Sequence, residues 1–307
     1  MNPRIVSLIP SATEILCAMG FQTNLVGISH ECDFPLDLPD LPKLTAPNFI
    51  PDGTSYEIDE RVKAILAEGL AVYRVDADLL KELKPTHIIT QSQCDVCAVS
   101  LKEIEKLACS WVDQDVKVVS LQPDDIDCVY QDIHKIGEAL GENARAKALI
   151  DTMGEGFKQI SERVPPGAPL NVLCIEWLEP LMDAGNWVPE LLEMVGGKSS
   201  FGKAGEHSDW IQWEQILESN PDYILLMPCG FSIERTKEEL VLLTKRDGIH
   251  NLKAYQSNQI YLCDGNQYFN RPGPRLVDSL QILAEILHSS DFGSGLQGIG
   301  FIPLSEV

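Results

Sequence analysis

Residues 143–164 read NARAKALIDTMGEGFKQISERV. Ala146, Leu149, Ile150, Met153, Phe157, Ile160 and Val164 recur at helical spacing, which predicts one amphipathic helix. At 1.5 Å per residue, roughly 22 residues span about 33 Å, close to the width of a domain. Gly154 and Gly156 weaken the helix without breaking its stripe, and Pro165-Pro166-Gly167 ends it. A helix of that length midway along the chain is either an ordinary crossover or a strut between two lobes.

Toward the N-terminus the chain alternates strands and helices. Arg4–Leu8 reads as a strand, with a helix from Ser11 to about Met19 in which Ser11 and Glu14 have capping-box spacing. Leu25–Ser29, His87–Thr90 and Val116–Leu121 read as strands; Glu60–Glu68, Asp78–Leu83 and Ser100–Ala108 read as helices. The Pro-rich stretch Phe34–Pro51 is too broken for regular structure. Asp125–Leu140 is a helix leading into the strut. Beyond it the alternation resumes: strands at Asn171–Glu176, Asp222–Met227 and Gln259–Leu262, with helices at Trp187–Met194, Trp213–Ser219, Thr236–Leu243 and Gly273–His288. Such alternation predicts α/β lobes with parallel sheets, Rossmann-like, joined by the long helix. The expected division is residues 1–122 for the first lobe, 123–166 for the helical linker with its backbone helix at 143–164, 167–290 for the second lobe, and 291–307 for a flexible tail.

Bulk properties narrow the function. The chain has 307 residues, 44% of them hydrophobic, which is enough for two ordinary cores. A net charge of −22 with no Lys/Arg cluster argues against nucleic acid and against anionic lipid, and suits solubility or a basic partner surface. No apolar run is long enough for membrane insertion. No secretory segment precedes Ile5, so the chain as written reads as cytoplasmic, or as periplasmic or cell-surface if a leader has been removed. Nine cysteines scattered over this length are not a disulfide framework. Dinucleotide, Walker, zinc-protease and nucleophile-elbow motifs are absent, so no catalytic residues are assigned.

Several motifs in order resemble one family. Arg4-Ile5-Val6-Ser7-Leu8-Ile9-Pro10-Ser11-Ala12-Thr13-Glu14, Leu25-Val26-Gly27-Ile28-Ser29 before Asp33-Phe34-Pro35, and Leu83-Lys84-Pro85 are similar to the first half of substrate-binding proteins that deliver cobalamin and iron chelates to ABC importers. Trp213-Glu214-Gln215-Ile216-Leu217, Asn220-Pro221-Asp222 and Asn270-Arg271-Pro272-Gly273-Pro274-Arg275 are similar to its second half. The resemblance covers about residues 4–288 and is closest to the cobalamin-binding branch. It implies two lobes on one backbone helix and a small-molecule ligand, a corrinoid or iron chelate, in the cleft between them. It also implies an ABC transporter permease as partner, met by acidic side chains that fall on Asp78 and Glu214. Either residue also reads as an ordinary carboxylate at a helix N-terminus.

Ligands of open α/β sheets sit beyond the carboxyl ends of the strands. That rule puts the loops His30-Glu31-Cys32-Asp33 and Gln91-Ser92-Gln93-Cys94-Asp95-Val96-Cys97 on one edge of the first lobe. His30, Glu31 and Gln91 are thus candidate ligand contacts. The Cys94/Cys97 pair could hold Zn or Fe, with His30 or Cys32 completing the set, or it is redox-active, or structural. A cytoplasmic thiol or metal enzyme, or a metallochaperone using that pair, is the alternative function. In the second lobe Glu176, Trp177, Trp210, Gln267, Tyr268 and Phe269 stand at or near strand ends, where indole and phenol faces suit a flat macrocycle. The resemblance implies cobalamin contacts at or next to Trp177, Trp210 and Gln267-Tyr268.

Overall fold

A computed structural model describes residues 2–68, 70–92, 104 and 116–307. The chain divides into two compact units: Met1–Gly53, Glu60–Pro123 and Asp127–Thr152 form the first, and Thr54–Asp59, Asp124–Ile126 and Met153–Val307 the second.

The first unit is built on β1 (Ile5–Ser7), a fully buried strand followed by helix α1 (Pro10–Ala18). Pro10 occupies the first helical turn, where its missing N–H costs nothing. Ser11 therefore lies inside the helix and not at its cap as the capping-box spacing suggests, and its Oγ is buried with no partner among the described residues. β2 (Leu25–Ile28) follows. The Pro-rich stretch then yields a strand the sequence conceals, β3 (Thr45–Pro47). Helix α2 (Ser55–Ala67) leads to β4 (Tyr73–Val75), which pairs antiparallel with β3 as a two-stranded ribbon. Pro47 is tolerated there because a two-stranded ribbon leaves each strand with a free edge. Asp76 caps helix α3 (Ala77–Glu82), whose end is marked by Lys84 at φ 45°. β5 (His87–Gln91) and β6 (Lys117–Leu121) complete an all-parallel sheet of order β2-β1-β5-β6. The helix expected over Ser100–Ala108 lies outside the described residues, save for Ile104.

Helix α4 (Ile126–Leu140) precedes the long helix, α5, which runs Asn143–Ser161, three residues short of the expected Val164. Pro165 disfavours the helical conformation in Val164, so the last turn loosens before it. The division between the units falls inside α5, between Thr152 and Met153. Gly156 has a packing reason: a Cβ there would lie 2.7 Å from Val277.

The second unit centres on β7 (Leu170–Leu178), which turns through Glu179-Pro180 into β8 (Leu181–Asp183). Helix α6 (Val188–Met194), β9 (Gly197–Ser199) and β10 (Asp209–Trp210) follow. Helix α7 (Trp213–Ser219) matches the sequence expectation end for end, and β11 (Tyr223–Leu226) comes next. The helix expected at Thr236–Leu243 is two short ones: α8 (Ile233–Glu238), capped by Ser232, and a turn at Val241–Thr244. β12 (Ile260–Cys263) precedes helix α9 (Leu276–Leu287), and β13 (Phe301–Pro303) closes the chain. The sheet order is β10-β8-β7-β11-β12-β13, with β9 beside the N-terminal half of β7. Its parallel strands β7, β11 and β12 match the expected arrangement, and the sequence did not reveal the parallel β9 or the antiparallel margins β8, β10 and β13. The tail expected to be flexible instead returns to the sheet, where Phe301 is buried opposite Cys263. Its apolar Phe301-Ile302 pair covers the exposed edge of β12. The core of this unit is apolar, from Leu173 and Ile175 on β7 through Ile224 and Leu226 on β11 to Ile260 and Leu262 on β12.

Candidate functional site

In the first unit, parallel β1, β2 and β5 all end on one edge. The loop Ser29–Asp33 leaves β2 there, and Gln91, buried, ends β5. Thr45 of β3 organises this loop. Its Oγ1 accepts the backbone N–H of His30 at 3.0 Å, lies 2.7 Å from His30 Nδ1, and is hydrogen-bonded to Ser29 Oγ at 3.0 Å. Tyr73 of β4 stacks obliquely on the imidazole, ring centres 5.4 Å apart, and donates to Glu31 Oε1 at 3.3 Å. The same Glu31 oxygen is 4.0 Å from His30 Nε2. Burial, reinforced by the nearby Lys43 ammonium, holds the His30 pKa below the usual imidazole value. Thr45 and Tyr73 were not foreseen from the sequence; both lie on the β3–β4 ribbon hidden by the prolines.

The buried Cys32 thiol is 3.0 Å from Thr13 Oγ1; Thr13 donates to Ser7 Oγ at 2.8 Å, and Ser7 donates to the Ile9 carbonyl at 3.1 Å. Cys94 and Cys97 lie outside the described residues, and among the described residues no three His, Cys, Asp or Glu side chains gather to hold a metal.

In the second unit the loops after β7, β11 and β12 meet at one sheet edge. Cys229 N–H donates to the Glu176 carbonyl and Asn266 N–H to the Phe231 carbonyl. A bulge on β7 between Ile175 and Trp177 makes Glu176 the extra residue opposite Asp183. Its carboxylate accepts from Ser208 Oγ at 2.6 Å, and Ser208 in turn accepts the Gly185 N–H. Gly185 must be glycine: a Cβ would collide with the Glu206 carbonyl. The bulge also sets the register that follows it. Trp177 pairs with Met182, and Met182 pairs with Trp210. Directly paired residues share a sheet face, so the two indoles flank one thioether in a row across three strands. Phe231 extends the row, 5.2 Å from Trp177, with the Arg235 guanidinium 4.3 Å over its ring. Trp210 is 44% exposed, and Trp177 Nε1 has no hydrogen-bond partner among the described residues. Met182 and Phe231 carry no sequence motif; only the hairpin turn at Glu179-Pro180 hints at the pairing that places Met182.

Asp183, next to Met182, holds this edge together. Its carboxylate accepts from the backbone of Cys174, Ala184, Phe201 and Gly202 at 2.8–3.2 Å and from Ser199 Oγ at 3.4 Å. Burial pushes its pKa up to about 6, opposed by those N–H donors. After β12, Asp264 caps a π-turn, Gly265–Phe269. Gln267 Oε1 accepts from Arg275 at 2.7 Å, and the Arg275 guanidinium lies 5.6 Å from the half-buried Tyr268 ring. Phe269, named from the sequence as a candidate ligand contact, has no exposed surface in this structure. It is fully buried, because the π-turn directs successive side chains differently from a strand, and its carbonyl accepts from Trp187 Nε1.

Residues 5–267 match the sequence model of the family called periplasmic binding protein. The chain belongs to that family. Among its relatives is the ABC transporter substrate-binding lipoprotein YvrC of Bacillus subtilis, 26% identical over 297 residues, covering 94% of this chain and 81% of that protein. The high-affinity heme uptake system protein IsdE of Staphylococcus aureus is 22% identical over 231 residues, 74% of each chain. Among solved structures, the periplasmic vitamin B12 binding protein BtuF of Vibrio cholerae superposes with a TM-score of 0.66 at 18% identity, over 94% of this chain and 98% of that one. This periplasmic binding protein thus has the two-lobed α/β fold with a helical backbone. Asp78 and Glu214 are both exposed, in the first turns of α3 and α7 respectively, and neither forms an ion pair among the described residues. No described helix is long and apolar enough to cross a membrane.

Proposed function

We propose that this periplasmic binding protein holds a corrinoid or a related metal chelate and presents it to the permease of an ABC importer. The observation that carries the reading is the row Trp210–Met182–Trp177 with Phe231 at its end. Flat, stiff aromatic faces give a planar macrocycle large contact area with few torsions to freeze. A polar contribution comes from His30, Glu31 and Gln91, at the strand ends of the first unit. Glu176, Gln267 and Tyr268 suit the amide or carboxylate periphery of such a ligand. Relatives named for vitamin B12 and for heme support a macrocyclic metal chelate as the class. The lipoprotein relative supports a place of work outside the cytoplasmic membrane. Asp78 and Glu214, exposed on separate units, suit basic pockets on a permease.

Equilibrium titration of the full chain with cyanocobalamin, hemin and a ferric trihydroxamate tests the reading. A saturable one-to-one response to a macrocycle is expected. No response to any of the three, by absorption or calorimetry, contradicts it.

A further inference from the structure

We infer that Arg246 is a positioning residue for Glu214: it clamps the first turn of α7 to the β7–β8 turn, and so presents the docking carboxylate on a stiff seat. This rests on the proposed docking of Glu214 against a basic partner surface, and names the residue that orients it.

Helix α7 has seven residues, too few to hold its own direction in water, so its first turn must be fixed from outside. Upstream, Trp210 pairs with Met182, and the Ile211 N–H donates to the Leu181 carbonyl at 3.0 Å. At the cap, the Gln212 N–H donates to Gln215 Oε1 at 2.8 Å, while the Gln212 side chain accepts the Gln215 N–H. At the side, Trp213 Nε1 donates to the Asp247 carbonyl at 2.7 Å, and the Arg246 guanidinium lies 5.5 Å from the centre of the Trp213 ring.

Arg246 is itself held by other segments. Its Nη2 donates to Glu179 Oε2 at 2.7 Å in the β7–β8 turn, and its Nε donates to the Leu242 carbonyl at 3.0 Å. The Arg246 side chain keeps 22% of its surface exposed, so this ion pair is better shielded than an open surface pair. Gly248, at φ 83°, brings the same loop against the next turn of α7: a Cβ there would lie 3.1 Å from Leu217. One planar group thus ties the hairpin that carries Trp177 and Met182 to the indole beside Glu214. A lysine has no plane to lay on that ring while it pairs with Glu179. Glu214 itself stays exposed. A carboxylate on an ordered turn loses less freedom on docking than one on a fraying helix end, which strengthens binding without a new contact.

Docking of the full, ligand-free chain onto its importer in lipid nanodiscs, followed by surface plasmon resonance, tests this whichever chelate is the ligand. Arg246→Met should weaken docking about 10-fold, and Arg246→Lys should not restore it. Glu179→Gln breaks the same ion pair from a half-exposed turn without touching the core, and should weaken docking about 2- to 5-fold. In a Glu214→Gln background Arg246→Met should have no further effect, because Arg246 acts through Glu214. Losses that add in that double variant overturn the inference, since Arg246 then acts independently of the carboxylate. Docking weakened by Glu214→Gln but unchanged by Arg246→Met and Glu179→Gln also overturns it, and leaves the docking role of Glu214 standing. Docking that is absent in wild type, or unaffected by Glu214→Gln, overturns that role and the inference with it.

Discussion

Around His30, short hydroxyl contacts tie the loop down: Thr45 with Ser29 beside the imidazole, and Cys32 with Thr13, Ser7 and the Ile9 carbonyl in the buried wall. Along Trp210, Met182 and Trp177 the register of three strands aligns broad apolar faces, and the buried Trp177 indole N–H has no hydrogen-bond partner among the described residues. The first region is suited to hold polar groups in place. The second is suited to area. A polar network loses its orienting power with one missing hydroxyl, whereas a stacking row loses affinity in steps as faces are removed.

The largest effect is expected where the row depends on a buried charge. Asp183→Ala takes the carboxylate acceptor from the Cys174, Phe201 and Gly202 N–H groups and from Ser199, while Ala184 N–H keeps the Cys174 carbonyl, and should cost about 3–5 kcal/mol in chemical denaturation. The pH dependence has a definite sign. The folded-state pKa of Asp183, about 6, lies above the usual carboxylate range, so the native state binds the extra proton. The contribution of this group is fully present below the unfolded value and is lost as pH rises through about 6, amounting to about 3 kcal/mol. The stability difference between wild type and Asp183→Asn should therefore change with pH between about 4 and 6 and level off above.

Smaller effects separate the hydroxyl contacts of the first unit from the row. Cys32→Ala removes the contact to Thr13 and a little volume and should cost about 1–2 kcal/mol. Cys32→Ser keeps a polar contact to Thr13 and should stay within about 1 kcal/mol of wild type, with metal content by elemental analysis unchanged in either variant. A metal loss confined to Cys32 variants would put the thiol in a binding set. Trp210→Ala should change stability by less than about 1 kcal/mol, since the ring is largely exposed, yet weaken macrocycle binding about 10-fold. Asp78→Lys and Glu214→Lys should leave stability within about 0.5 kcal/mol and ligand affinity intact, while abolishing ligand-dependent stimulation of the importer's ATP hydrolysis.

Periodicity made the long helix and the strand–helix alternation legible, because local burial patterns dictate both. The strand-end rule found His30 and Trp177, since parallel strands fix which edge their loops share. Pairing between distant segments was not legible. Thr45 lies in a strand masked by prolines, Met182 gains meaning only through its two partners, and β13 exists because β12 needs an edge covered. Phe269 misled for a related reason: adjacency to Tyr268 in sequence says nothing of direction inside a π-turn.

The most direct test follows one titration with two signals, tryptophan emission for the row and absorption for the chelate, as diaquocobinamide is added to the full chain. The account predicts that both signals saturate together at one equivalent, with emission loss diminished in Trp210→Phe and affinity lowered in His30→Ala. No change in either signal, or a titration unaltered by both substitutions, would contradict a macrocycle bound by these residues.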